Sequence, residues 1–152
     1  MVEERYRRAV PSSVKSSRYD DINKHIDFWI GTDGVDVKGN NLLDEIWVEL
    51  KNVRGEPGWL FGEATYIAFD IPELGGFVQV EREELKDYCK DNVDYRNLVP
   101  KKHAYKKGYR RKDREDLITK LCIEDLETLL TYEVIPYALS YTHPQDQRRV
   151  CI

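Results

Sequence analysis

Cysteine is scarce in this chain: three in 152 residues, at positions 89, 122 and 151, with no Cys-x-x-Cys pair. That pattern excludes a zinc knuckle and a disulfide framework, and it leads to the expectation of a reducing, cytoplasmic compartment. Long apolar runs are lacking too. None approaches the roughly 20 residues that a membrane-spanning helix needs, and the opening Met1-Val2-Glu3-Glu4-Arg5 has no signal-peptide character, so no membrane partner is expected. Internal repeats, low-complexity stretches and Gly/Ser/Pro linkers are also missing, which makes residues 1–152 a single expected domain. What is present is 41% hydrophobic and 34% charged residues, a composition that suits a globular chain and not a disordered one.

A net charge of −4 argues at first against a nucleic-acid partner, but it hides an asymmetry. Residues 101–114 hold eight Lys/Arg against one Asp, so the rest of the chain is more acidic than the total implies. A concentrated basic segment on an acidic body can engage phosphate locally. A solvated surface loop explains the same run equally well.

Along the chain, residues 3–10 read as a short helix ending at Pro11, and residues 12–24 as polar and irregular. Strand signals follow at 25–30, 35–39 and 46–53, with a turn at 31–34. Residues 59–65 suit a helical turn, 66–71 and 77–80 further strands, 83–91 a helix, 117–123 a last strand and 124–132 a last helix. The expectation is an α/β mixture around a mainly antiparallel meander.

The first hairpin carries the chemical argument. Side chains alternate faces along a strand. If residues 31–34 form the turn, Ile30 pairs with Val35 and Phe28 faces Val37 on the apolar side. On the other side Asp27 faces Lys38, with Asp36 diagonal to Asp27. Two carboxylates at that spacing can share a divalent cation. Mg²⁺ or Mn²⁺ so held polarises a phosphoryl oxygen and acidifies a bound water, while a neighbouring ammonium offsets developing charge. Zinc would call for His or Cys ligands, and only His25 is near.

The run His25-Ile26-Asp27, followed by Val35-Asp36-Val37-Lys38-Gly39, resembles the PD-(D/E)XK nuclease superfamily, whose hallmark is an Asp on one strand and an acid-x-Lys on the next. It is especially similar to phage-type Holliday-junction resolving and small restriction-type endonucleases. The resemblance covers about residues 20–80. It implies a restriction-endonuclease-like αβββαβ core, a central mixed sheet flanked by helices. It also implies a metal-dependent DNA endonuclease, with Asp27 and Asp36 as metal ligands and Lys38 as the catalytic lysine. A homodimer that cuts two strands is a further implication. Ile26 stands where the name-giving proline usually sits. An acid on the N-terminal helix, common in the superfamily, would be Glu3 or Glu4.

Acid-x-Lys triplets occur three times, so strand context has to separate them. Glu84/Lys86 falls in an expected helix. Glu49/Lys51, on the third strand with Asp36 upstream, stays an alternative to Asp36/Lys38; otherwise Glu49 is an auxiliary catalytic acid and Lys51 a phosphate contact. Lys101, Lys102, Lys106, Lys107, Arg110 and Arg111 are the expected nucleic-acid contacts, with Tyr105 and Tyr109 placed to stack on exposed bases. His25 reads as a site neighbour or as an ordinary strand histidine. Asp20 and Asp21 read as metal helpers or as capping residues, Trp59 as core or substrate contact. Glu63 and Tyr66 lie where some superfamily branches carry site residues. The alternative to an enzyme is an inactive nuclease-fold module that binds nucleic acid or a protein.

Overall fold

The computed structural model describes residues 1–138; Cys151 lies outside them. Helix α1 (Val2–Ala9) opens with Glu3 and Glu4 and closes with Arg7 and Arg8, the charge order that complements a helix dipole. Strand β1 (Val14–Lys15) and helix α2 (Arg18–Lys24) occupy the stretch expected to be irregular. Then come β2 (Phe28–Ile30), β3 (Asp33–Lys38), β4 (Ile46–Lys51) and a 3-10 turn at Trp59–Phe61. After these run β5 (Tyr66–Ile71), β6 (Gly76–Glu81), α3 (Arg82–Asn92), β7 (Asp94–Leu98) and β8 (Lys107–Gly108). The last described elements are β9 (Leu117–Leu121), α4 (Ile123–Glu127) and β10 (Glu133–Pro136).

The main sheet is six-stranded and mixed, in the order β1-β2-β3-β5-β6-β10. Every neighbouring pair is antiparallel except β3 and β5, which run parallel. This corrects the meander expected from the sequence. Strand β4 does not continue the sheet beside β3 but pairs with β9 in a separate two-stranded layer. Its apolar side (Ile46, Val48, Leu50) is buried in the large core with Ile67, Phe69, Ile71, Val78 and Val80 of the main sheet. Burying that side across the layers, where each such side chain contributes about 1.5–3 kcal/mol, outweighs edge-on pairing with β3.

The opposite face of the main sheet holds a smaller core of Tyr6, Phe28, Val35, Val37, Ala68 and Phe77. Tyr6 is the buried residue of α1; its ring lies 5.3 Å from Phe28 and 5.2 Å from Phe77. Its hydroxyl donates to Gln79 Oε1 at 2.7 Å. Because Val35 and Val37 point into this core, the alternating residues Asp36 and Lys38 face the other layer, toward β4 and Trp59. No described helix is long and apolar enough to cross a membrane.

Candidate active site

The hairpin turn is tighter than its glycines imply. Phe28 pairs with Val35, Trp29 with Gly34 and Ile30 with Asp33, leaving Gly31 and Thr32 as a two-residue connection. Gly31 takes a positive φ of 61°, which suits such a turn. Relative to the four-residue turn expected, the register moves by two. A shift of two keeps every side chain on its face, so Asp27, Asp36 and Lys38 still share one side. The neighbour of Asp27 changes from Lys38 to Asp36.

The regular ladder stops at Phe28, and Asp27 replaces it with two bonds that bracket residue 36. Its N–H donates to Val35 O at 2.8 Å, and its carboxylate Oδ2 accepts from Val37 N–H at 2.8 Å. The Asp27 and Asp36 carboxyl groups are thereby brought close enough to shift each other's proton affinity. Lys38 Nζ lies 3.2 Å from Asp36 Oδ1 and 5.0 Å above the Trp59 ring. Asp36 is only 3% exposed and Asp27 8%. Asp36 Oδ2 is buried with no hydrogen-bond partner among the described residues.

Burial is the main cause that pushes the Asp36 carboxyl up to about 8; the Lys38 charge opposes the shift and Asp27 adds to it. Asp27 is raised as well, again chiefly by burial, although the Val37 N–H holds it down. Two carboxyls in contact in a dry site cannot both ionise without a counter-charge. Burial therefore favours a proton on the pair, and the Lys38 charge opposes it.

Around this pair stand residues that pattern reading left open. Ser17 Oγ caps α2 by accepting from Asp20 N–H at 3.1 Å, and His25 ends the helix in the left-handed region at φ 57°. Asp20 is structural: its Oδ2 accepts from Trp29 Nε1 at 3.3 Å and its Oδ1 lies 3.5 Å from Lys24. Asp21 adds slightly to the rise at Asp27. The Ser-x-x-Asp spacing at 17–20, with Lys24 one turn on, was the signal that could have revealed this helix. Burial and the Lys38 charge depress His25, while Glu49, Asp21 and Asp27 act on it in the opposite sense. Of the two N-terminal acids, Glu3 pairs with Lys15 and its charge reaches Asp27. Glu4 is held by Arg7 and Arg8.

Glu49 approaches from the second layer, its Oε1 accepting from Trp59 N–H at 3.3 Å. Since β4 pairs with β9 and not β3, Glu49/Lys51 and Asp36 do not form the alternative hairpin, and an irregularity between Glu49 and Lys51 leaves Lys51 exposed beside another cleft. Tyr66 packs in the smaller core across the sheet and Glu63 is exposed, so neither joins the pair.

The basic segment divides. Lys101 and Arg111 line a cleft of about 310 Å³ together with Trp47, Glu49, Trp59 and Tyr109. Lys102 is exposed, and neither it nor Lys101 makes an ion pair among the described residues. Lys106 instead pairs with Asp125 at 3.3 Å, between the Tyr88 and Tyr105 rings, and Tyr105 donates to Asp125. Lys107 lies 3.7 Å from Asp94, and Arg110 Nε donates to Asp116 O at 3.4 Å.

Comparison with protein-family models, curated proteins and solved structures returns no match for this chain. The site's own geometry carries the functional argument.

Proposed function

We propose that the chain is a divalent-cation-dependent phosphodiester hydrolase acting on DNA, of the kind its hairpin resembles. The observation that carries this reading is the convergence of Asp27, Asp36 and Lys38, with one buried Asp36 oxygen left without a partner. Among the described residues no three His, Cys, Asp or Glu side chains form a complete ligand set. Two carboxylates fit Mg²⁺ or Mn²⁺, which keep several waters and take further oxygens from substrate phosphate. Such an ion supplies a Lewis acid for the phosphoryl oxygen and acidifies a bound water.

The chain's own residues do the rest. Asp27 and Asp36 hold the cation in place of the shared proton. Lys38, fixed by Asp36 and by the Trp59 ring, stands ready to offset charge that builds on the phosphorus oxygens. His25, two residues before Asp27, has its proton affinity lowered by burial and by Lys38. The mixed β2-β3-β5 order, with Asp27 just before β2 and Asp36 on the adjacent β3, supports an αβββαβ-type core. The crossover from β3 to β5 departs from that scheme, because it is filled by β4 and a 3-10 turn where the scheme has a helix.

The test is incubation with supercoiled plasmid, single-stranded circles and branched DNA in Mg²⁺, Mn²⁺ or EDTA. Cleavage that needs metal and disappears in Asp36→Asn is the expected result. Binding to these substrates with no turnover in any metal would replace the reading by a non-catalytic nucleic-acid module.

A further inference from the structure

The cleft beside the carboxylate pair says which form of nucleic acid the site accepts, an inference that rests on the hydrolase reading above. Its wall is aromatic. Trp47 and Tyr109 lie 5.9 Å apart between ring centroids, tilted by 40°. Both are fixed in advance: Trp47 Nε1 donates to Glu45 Oε1 at 3.1 Å, and the Tyr109 backbone exchanges two hydrogen bonds with Ile118 of β9. The cleft carries two cations and one carboxylate. Lys101 has no ion-pair partner among the described residues, and Arg111 uses Nε on Asp116 at 2.5 Å, its terminal amino groups unengaged there. Glu49 supplies the acceptor. Trp59, under the Lys38 ammonium, joins this space to the catalytic face.

A rigid aromatic wall, a carboxylate and two cations within about 310 Å³ match one planar base with donor N–H groups and the phosphates that flank it. The carboxylate repels phosphate, so the base lies toward Glu49 and the phosphates toward Lys101 and Arg111. In a duplex both base faces are already stacked, and only an unpaired base offers a face to the wall. We infer that the cleft takes an unstacked base, and that the substrate is single-stranded or locally unpaired nucleic acid.

The probe is a fluorescently labelled oligonucleotide, single-stranded or annealed to its complement, titrated in EDTA at fixed salt and read by anisotropy. The single strand is expected to bind at least tenfold tighter than the duplex. Trp47→Ala and Tyr109→Ala should each weaken single-strand binding about tenfold while leaving duplex binding unchanged. Lys101→Glu, at an exposed position, should weaken it similarly and keeps the test sound if an aromatic variant fails to fold. Equal affinity for both forms, or native-like variants with unchanged affinity, overturns the inference. Because this binding is measured without metal, the two readings fail separately. Single-strand preference with no metal-dependent cleavage sinks the hydrolase alone. Metal-dependent cleavage that ignores the cleft variants sinks the cleft alone.

Discussion

Replacing Asp36 by Asn should stabilise the metal-free protein, and the gain should depend on pH in a defined way. In the fold the Asp36 carboxyl is pushed from its ordinary 3.8 up to about 8. A carboxyl raised on folding binds its proton more tightly folded than unfolded. Stability is therefore highest below about 4 and falls as pH rises to about 8, beyond which it is level. With each unit worth about 1.4 kcal/mol, the accumulated loss at pH 7 is about 4 kcal/mol. Asparagine mimics the protonated acid, since its amide donates where the shared proton does, so the variant does not pay this cost. Melting in EDTA should thus show wild type and Asp36→Asn together near pH 4 and separated by on the order of 10 °C at pH 7. Mn²⁺ at about 100 times its dissociation constant should return about 2.7 kcal/mol to wild type and nothing to the variant. A gap that stays constant from pH 4 to 8, or equal stabilisation of both proteins by Mn²⁺, would refute the account of the pair as a proton-or-cation site.

Other consequences are as direct. Lys38→Met removes the charge that opposes the rise at Asp36, so the ascending limb of metal-dependent cleavage against pH should move to higher pH as well as fall in height. Gly58→Ala would set a Cβ 2.6 Å from Glu49 O and 2.7 Å from Glu49 Cγ; the melting temperature should drop by the equivalent of about 1–3 kcal/mol, with Glu49 and Trp59 displaced together. Asp125→Ala strands the hydroxyls of Tyr88 and Tyr105, which donate at 2.6 and 2.9 Å, the Cys122 N–H at 2.9 Å and Lys106. Denaturant unfolding should register a loss of about 2 kcal/mol or more, and the wild-type share of it should fade in acid. Asp125 is held down to about 2 by those donors, so its contribution is present above about 4 and lost as pH falls toward 2.

Much of the fold was legible because patterning and burial agree. Strands β3, β4, β5 and β6 and helices α1 and α3 lie within a residue or two of where alternation and helix signals put them. What escaped was decided by partners and not by local pattern. Strands β1 and β8 are two residues long, too short to show a period. Strand β10 is mostly exposed and exists because β6 offers it an edge. The assignment of β4 to a second layer has no local signature: a strand with one apolar side reads alike whether it extends a sheet or lies across it. The choice followed from the apolar partner it meets on β9, some 70 residues later.

The shared face of Asp27, Asp36 and Lys38 was more legible than the register of the hairpin, and the reason is parity. The turn was expected to hold four residues and holds two, yet an even slip leaves Asp27, Asp36 and Lys38 on one face, since faces repeat every second residue. An odd slip would have set Asp27 on the face of Val35 and Val37, away from Asp36. What the slip did change is chemistry. With Asp27 opposite Lys38, the ammonium would have been the cross-strand neighbour of Asp27. Once Asp27 bonds Val35 O and Val37 N–H, the two carboxyls meet with the burial of a core residue, and Lys38 is left to neutralise only one of them. Asp36 Oδ2 is buried there with no hydrogen-bond partner among the described residues. The approach of the two carboxyls thus rests on one backbone–backbone bond and on one from the Val37 N–H to the Asp27 carboxylate, beside a three-residue strand, and no side-chain pattern announces either.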